Sequence, residues 1–423
     1  MRVLHTSDWH LGRMLYGRKR HDEFEAFLGW LLTVLQERSV EVLVVAGDVF
    51  DTSSPGTRAQ QLYYRFLGEV AATGCRYVVV VAGNHDSPAF LSAPRELLRA
   101  LRVHVVGACS DNADDDLLLL EAADGRPGLL VCAVPYLRDR DIRRAEADES
   151  VEQKDQKLQA GIRQHYGRMA ELAEQKRKVL GGVPVLATGH LFVAGGQTID
   201  GDGVRELYVG SLAHVGATIF PETFDYVALG HLHVPQRVAG QTHIRYSGSP
   251  LPMGFGEARQ QKQVCLVDLQ WRNGGCERQV ELLSVPVFRR LMSVRGDMPT
   301  VLQQLADCVA AGSPLWVEVL CDTDGLASDV RRALDEVVAG SLVDIVRVRH
   351  TRLLQQVLQQ GDVQESLDDL QDLEVFERCL DAHGVSDERR VRMRQLYAMA
   401  VDGLTQDPDS DALGVNGNAG VVL

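Results

Sequence analysis

The chain is 423 residues long, 45% hydrophobic, and carries a net charge of −14. That length exceeds one ordinary domain and supplies apolar residues for at least two buried cores, while the acidic balance speaks against a protein that grips polyanions through basic side chains alone. Eight cysteines without a C-x-x-C pair suggest neither a zinc ribbon nor a disulfide framework; a start lacking the apolar core of a signal peptide, in a chain without a membrane-length apolar run, gives the expectation of a cytoplasmic protein.

In chain order, the sequence first alternates strand and helix: a strand to Thr6, a helix over Phe24 to Arg38, a strand over Val42 to Ala46, a helix over Arg58 to Ala72 and a strand over Tyr77 to Ala82. This βαβαβ order implies a parallel sheet. After the acidic stretch Asp111 to Asp116, strands are expected at Leu117 to Glu121 and Gly128 to Val134. Asp148 to Leu180, rich in Glu, Gln, Lys and Arg, reads as a surface helix. Short buried strands follow at Val183 to Ala187 and Tyr226 to Leu229, then Gln263 to Leu269 and Val280 to Leu283 around the turn Arg272-Asn273-Gly274-Gly275. These elements make up a first domain, 1–285.

Past Pro286, Phe288 to Val294, Met298 to Ala311, Leu315 to Leu320, Ala327 to Val338 and Val343 to Val348 read as strand, helix, strand, helix, strand. A small α/β domain is therefore expected at 286–350. From Thr351 the chain turns helical: Leu367, Leu370, Leu373, Val375 and Phe376 form a patchy apolar face, and Asp387 to Leu404 a second helix. The segment 351–404 reads as helical and 405–423, rich in Gly, Asn and Asp, as a disordered tail. Charge is uneven along this plan. From Asp362 onward 14 acidic residues stand against five arginines, so that segment carries −9 and the first 361 residues only −5.

Seven candidate metal ligands, Asp8, His10, Asp48, Asn84, His190, His231 and His233, stand at the ends of five apolar runs. The runs read as parallel strands, and ligands bind outside the carboxyl ends of such strands. One sheet could bring all of them to a single edge. Asp8 and His10 lie two apart, so in extended geometry both side chains leave on the same side, and His231 and His233 repeat that spacing. Asp48, alone at its strand end after Gly47, is the candidate carboxylate to bridge two cations about 3.5–4 Å apart. Nitrogen and oxygen ligands without cysteine favour manganese, iron or zinc, with manganese preferred. Such a pair lowers the pKa of water and neutralises charge on a phosphoryl oxygen, the requirements of hydroxide attack on a phosphodiester. His85, beside Asn84, is placed to protonate the leaving alkoxide, and Asp86 to hold that ring or turn. The basic run Arg13, Arg18, Lys19 and Arg20 reads equally as a solvated loop or as a phosphate contact. His5, His21, His104, His165, His214, His243, His350 and His383 lack ligand-type surroundings and are expected to pack or to sit at the surface; Trp9, Phe50 and Leu232 are expected beneath the site.

Asp8-Trp9-His10, Gly47-Asp48-Val49-Phe50-Asp51, Gly83-Asn84-His85-Asp86, Gly189-His190 and Gly230-His231-Leu232-His233 together resemble the calcineurin-like metallophosphoesterase signature. His5 to Gly12, Ala46 to Asp51 and Tyr246-Ser247-Gly248-Ser249-Pro250 are similar, more closely, to the SbcD family of bacterial nuclease subunits, over residues 1–285. The resemblance implies a four-layer α/β sandwich, with a small α/β cap facing DNA and a C-terminal helical segment docked on a partner. It implies that Asp8, His10, Asp48 and His233 hold one metal, that Asp48, Asn84, His190 and His231 hold the other, and that His85 is the catalytic acid. The activity implied is a manganese-dependent DNA nuclease, a double-strand 3′→5′ exonuclease and a single-strand and hairpin endonuclease. The partner implied is an SbcC-type SMC ATPase, with the nuclease as a homodimer within a heterotetramer. Archaeal and eukaryotic relatives tend to have histidine where this chain has Asp51, so their use of that position does not transfer. Fold and metals do not choose a substrate by themselves; about 190 residues follow His233, more than a minimal phosphatase needs, which favours the nuclease.

Overall fold

A computed structural model describes residues 1–143, 149–193, 215–323, 327–350, 376–377, 380 and 387–405. The chain divides into two compact units, Met1–Met292 with Pro314–Trp316, and Ser293–Ser313 with Val317–Leu423.

The first unit contains two six-stranded sheets where the sequence suggested a single edge. In the first, β1 (Arg2–Thr6), β2 (Val42–Ala46), β3 (Tyr77–Val81) and β4 (Val103–Val106) run parallel. In the second, β6 (Pro127–Cys132), β7 (Val185–His190), β8 (Tyr226–Gly230) and β10 (Ile244–Tyr246) run parallel, with β5 (Leu117–Glu121) and β9 (Gln236–Arg237) antiparallel at its edges. The hairpin of β11 (Gln263–Arg272) and β12 (Gly275–Ser284) closes the first sheet beside β1. Its turn is Asn273-Gly274, both at positive φ, the residues a two-residue hairpin demands. Both strands are ten residues long, longer than the expected runs, because ladder pairing extends past the apolar stretch.

Alternation along the strands builds the layers. Val42 and Val44 of β2 face the second sheet, in one core with Val79, Val131, Leu186 and Ala228. Leu43 and Val45 face outward, onto Phe27, Leu31, Leu62 and Phe66 of α1 (His21–Glu37) and α2 (Thr57–Val70). Beyond the second sheet lies α6 (Val151–Val179), the sixth helix after the short α3 (Pro88–Ser92), α4 (Arg95–Ala100) and α5 (Asp139–Ile142). Expected as a surface helix, α6 buries Tyr166, Met169 and Ala173 completely against that sheet. Its many charged residues mask a stripe of apolar ones at helical spacing. Helix, sheet, sheet, helix is the four-layer α/β sandwich. His5 sits between the sheets, fully buried, with Nδ1 3.1 Å from the Tyr226 hydroxyl and Nε2 3.1 Å from the Leu229 carbonyl. Burial pushes its pKa down to about 3, so it stays neutral; it is a packing residue.

Lying mostly in the second unit, β13 (Arg290–Gly296), β14 (Leu315–Cys321) and β15 (Val343–His350) form a three-stranded sheet with α7 (Met298–Ala310) and α8 (Ala327–Val338). Val294, Val301, Leu305, Val317, Val319 and Leu334 are among its buried residues. Asp297 caps α7 by accepting from the Thr300 N–H. α9 (Asp387–Thr405) carries Arg394, which pairs with Glu377, and Tyr397, stacked on Phe376 at 4.2 Å. The apolar positions Leu367, Leu370, Leu373 and Val375, and the tail after Thr405, lie outside the described residues. No described helix is long and apolar enough to cross a membrane.

Candidate metal centre

All seven candidate ligands come together where the two sheets meet at their carboxyl ends. The chain bends sharply to do this. Asp8, His10, Asp48 and His231 lie at φ of 53°, 47°, 49° and 101°, so Asp8 and His10 are not in the extended geometry expected of them. Non-glycine residues held in that region cost about 1–3 kcal/mol each and persist only where their surroundings over-determine them. Here the backbone does so: Asp8 N–H donates to the Gly47 carbonyl and His10 N–H to the Asp48 carbonyl, both at 3.0 Å. Two glycines permit the approach. A Cβ at Gly47 would fall 2.2 Å from Nδ1 of His190, and one at Gly83 would fall 2.2 Å from Oδ1 of Asp48.

The donor atoms form two groups around Asp48. On one side Nε2 of His10 and Nε2 of His233 face each other at 3.1 Å, with Asp48 Oδ2 at 3.6 Å from His10 Nε2; Asp8, His10 and His233 have donor atoms all within 4.8 Å of one another. On the other, Asn84 Oδ1 lies 3.0 Å from His190 Nε2 and 3.1 Å from His231 Nδ1, and Asp48 Oδ2 lies 3.3 Å from His190 Nε2. Asp48 thus touches both groups, as a bridging carboxylate must. Asp8, His10, Asp48, His190, His231 and His233 are all buried.

These contacts suit divalent cations. His190 Nδ1–H donates to the Ala46 carbonyl at 2.9 Å, which leaves Nε2 as the nitrogen aimed at the oxygens of Asn84 and Asp48. His10 and His233 each turn Nδ1 toward a carboxylate, Asp51 at 3.4 Å and Glu257 at 3.5 Å, so that their Nε2 atoms face each other across the site. Acceptors that face acceptors in a buried site need positive charge between them. The same demand governs protonation. Burial opposes charge on His190, yet the Asp48 and Asp8 carboxylates lift its pKa to about 9. Burial would raise Asp48, but His190, His10 and His85 hold it well below the usual carboxylate range. Burial and the charge on His190 push His231 down to about 3.

His85 stands beside the ligands. Its N–H donates to Asp48 Oδ1 at 2.9 Å, its Nδ1–H to the Asp51 carbonyl at 2.7 Å, and its ring packs edge-on to His10 at 4.8 Å. Asp86 is structural: its carboxylate accepts from the backbone N–H of Val49, Phe50 and Gly83, pinning two loops together. Trp9, Phe50 and Leu232 are buried beneath. The basic run divides. Arg20 is buried in a two-pronged pair with Glu23, and Arg13 reaches Asp51 at 3.1 Å, while Arg18 and Lys19 are exposed.

Reading the sequence assigned no role to three contributors. Ser7 donates to Asp8 Oδ2 and lies 2.8 Å from the Ser247 hydroxyl, Asp51 supplies both a carboxylate to His10 and a carbonyl to His85, and Glu257 faces His233. The segment around Ser247 carried a signal in Tyr246 to Pro250; Glu257 lies beyond it in a stretch without any motif.

The calcineurin-like phosphoesterase model matches residues 1–235, and the type 5 capsule protein repressor C-terminal domain model matches residues 287–384. The chain is 36% identical over 416 residues to the SbcD component of the SbcCD nuclease of Escherichia coli K12, spanning 97% of this chain and 100% of that protein. Its counterpart in Rhodobacter capsulatus is 36% identical over 72% of this chain and 75% of its own length, and that of Bacillus subtilis is 36% identical over 63% and 66%.

Proposed function

Because the chain belongs to the calcineurin-like phosphoesterases and, within them, to the SbcD family, we propose that it is a manganese-dependent DNA nuclease subunit. In this reading it degrades double-stranded ends 3′→5′ and cuts single strands and hairpins. It works in the cytoplasm with an SbcC-type SMC ATPase, as a homodimer within a heterotetramer. Residues 1–285 are the nuclease, 286–350 a DNA-facing cap and 351–404 the partner-docking segment. The observation that carries the reading is the meeting of Asp8, His10 and His233 with Asn84, His190 and His231 around the Asp48 carboxylate, which contacts His10 and His190 alike, with His85 alongside.

Asp8, His10, Asp48 and His233 hold one cation and Asp48, Asn84, His190 and His231 the other. When bound, the pair supplies Lewis acidity to a phosphoryl oxygen and lowers the pKa of water. The rest falls to the chain. The Asp51 carbonyl occupies Nδ1–H of His85 and so leaves Nε2 as the nitrogen that exchanges a proton. His85 is therefore the general acid for the leaving 3′ or 5′ oxygen, a role that contributes about 10²–10⁴-fold. Its backbone tie to Asp48 fixes that acid relative to the bridging carboxylate. Ser7 holds Asp8 from behind.

The test offers linear duplex DNA, a DNA hairpin and a generic phosphomonoester to the purified chain with manganese, alone and with the ATPase partner. Cleavage of both DNA substrates is expected. Hydrolysis of the monoester alone would replace the nuclease with a phosphatase.

A further inference from the structure

Behind their ligand nitrogens the two halves of the metal centre differ. His190 is backed by a neutral group, the Ala46 carbonyl at 2.9 Å. His233 is backed by a charged one, Glu257 Oε1 at 3.5 Å from Nδ1. Glu257 is 0% exposed. Its other oxygen accepts from the Lys262 ammonium, from the Met253 N–H at 3.1 Å and from the Ser249 hydroxyl at 3.4 Å. Lys262, also buried, donates to the carbonyl of His233 itself at 3.1 Å and to Ser249 Oγ at 3.0 Å. One ammonium thus grips both the main chain of His233 and the carboxylate that faces its ring.

Such a pair is costly to bury, since desolvation of both charges offsets their attraction, and a buried ion pair is weak evidence of a stabilising role. Nothing in the cleavage step uses it. Its placement instead fits an outer partner of a metal ligand, since the buried Oε1 makes no other hydrogen bond among the described residues and faces the His233 ring at ion-pair distance: a carboxylate behind the distal N–H of an imidazole fixes its tautomer and orientation and raises the basicity of the nitrogen facing the metal. An anion does this more strongly than a carbonyl. His10, on the same side of Asp48, has a carboxylate behind it as well, Asp51 at 3.4 Å.

We propose that Glu257, clamped by Lys262, is a positioning residue that holds His233 with Nε2 toward the metal, and so makes the site of Asp8, His10 and His233 the tighter of the two cation sites. The inference rests on the two-cation reading above. It is tested by titrating manganese chloride calorimetrically into the metal-free full chain, as wild type, Glu257→Gln, Glu257→Gln with Lys262→Met, and Asn84→Ala. Wild type is expected to show two binding events. Glu257→Gln is expected to weaken the tighter event about 10–100-fold, the usual cost of losing an outer partner, and to leave the weaker one in place; Asn84→Ala is expected to affect the weaker one. The double variant removes both charges together, so no buried ammonium is left uncompensated, and is expected to keep the metal-free melting temperature while showing the same weakened event. A folded Glu257 variant with both affinities as in wild type would overturn the proposal, as would Asn84→Ala acting on the tighter event. If both Glu257 variants fail to fold, the residue belongs to the fold and the positioning role is overturned. Wild type that binds no manganese would sink the two-cation reading itself, and this inference with it.

Discussion

The two units of this chain share a local grammar, strands alternating with helices, but spend their buried positions differently. In the first, Asp8, His10, Asp48, His190, His231 and His233 are buried at strand ends, and Asp8, His10, Asp48 and His231 are held in left-handed backbone. In the second, among the described residues, the buried positions are apolar apart from Glu318, and no group of metal-type side chains occurs. A core needs only apolar volume and period. Buried charge and strained backbone concentrated at one sheet edge therefore mark where fold stability has been given up for a site.

Four substitutions would break or sharpen that contrast. The largest effect is expected from Asp48→Ala, which removes a carboxylate in contact with both donor groups: cleavage should fall by on the order of 10³-fold and manganese binding at both sites should be lost in a titration, with circular dichroism unchanged. His85→Asn should cost about 10²–10⁴-fold in cleavage rate yet leave the manganese isotherm as in wild type, separating acid from ligand. In the second unit Leu334→Ala opens a cavity beneath a fully buried position and should destabilise by about 2–5 kcal/mol, seen in denaturant unfolding, without altering manganese affinity. Loss of metal binding in that variant would mean that the units are not separable in the way their buried residues suggest.

The smallest effect concerns a charge away from the site. Asp116 is buried, and its carboxyl is raised from 3.8 to about 6 by burial, against the N–H of Ser110, with Asp115 adding to the rise. A raised folded-state value means that the stability this group contributes is fully present below 3.8 and is lost as pH rises through about 6. Asp116→Asn keeps an acceptor for Ser110 and should be as stable as wild type near pH 4 but more stable above about pH 6. Denaturation midpoints at several pH values check this; a difference that does not grow with pH across that window would contradict it.

Much of this was legible in the sequence. The strand ends bearing Asp8, Asp48, Asn84, His190 and His231 were marked because each polar residue interrupts an apolar run, and the bounds of α8 at Ala327–Val338 follow from its periodicity. What escaped has physical reasons. Two sheets rather than one cannot be told from strand pattern, since Val42 to Ala46 is buried on both faces either way, and the four-layer sandwich came only from the family resemblance. The buried stripe of α6 was diluted by its charged face. Glu257 and Lys262 act through tertiary contacts with His233 from a turn with no periodicity, and no local pattern announces them.

The central claim is that Asp48 joins two cation sites. Diffraction at the manganese edge from crystals grown with manganese tests it most directly. Two anomalous peaks are expected about 3.5–4 Å apart, one among Asp8, His10, Asp48 and His233, the other among Asp48, Asn84, His190 and His231. A site without peaks, or two peaks with Asp48 bound to neither or to only one, would contradict the account.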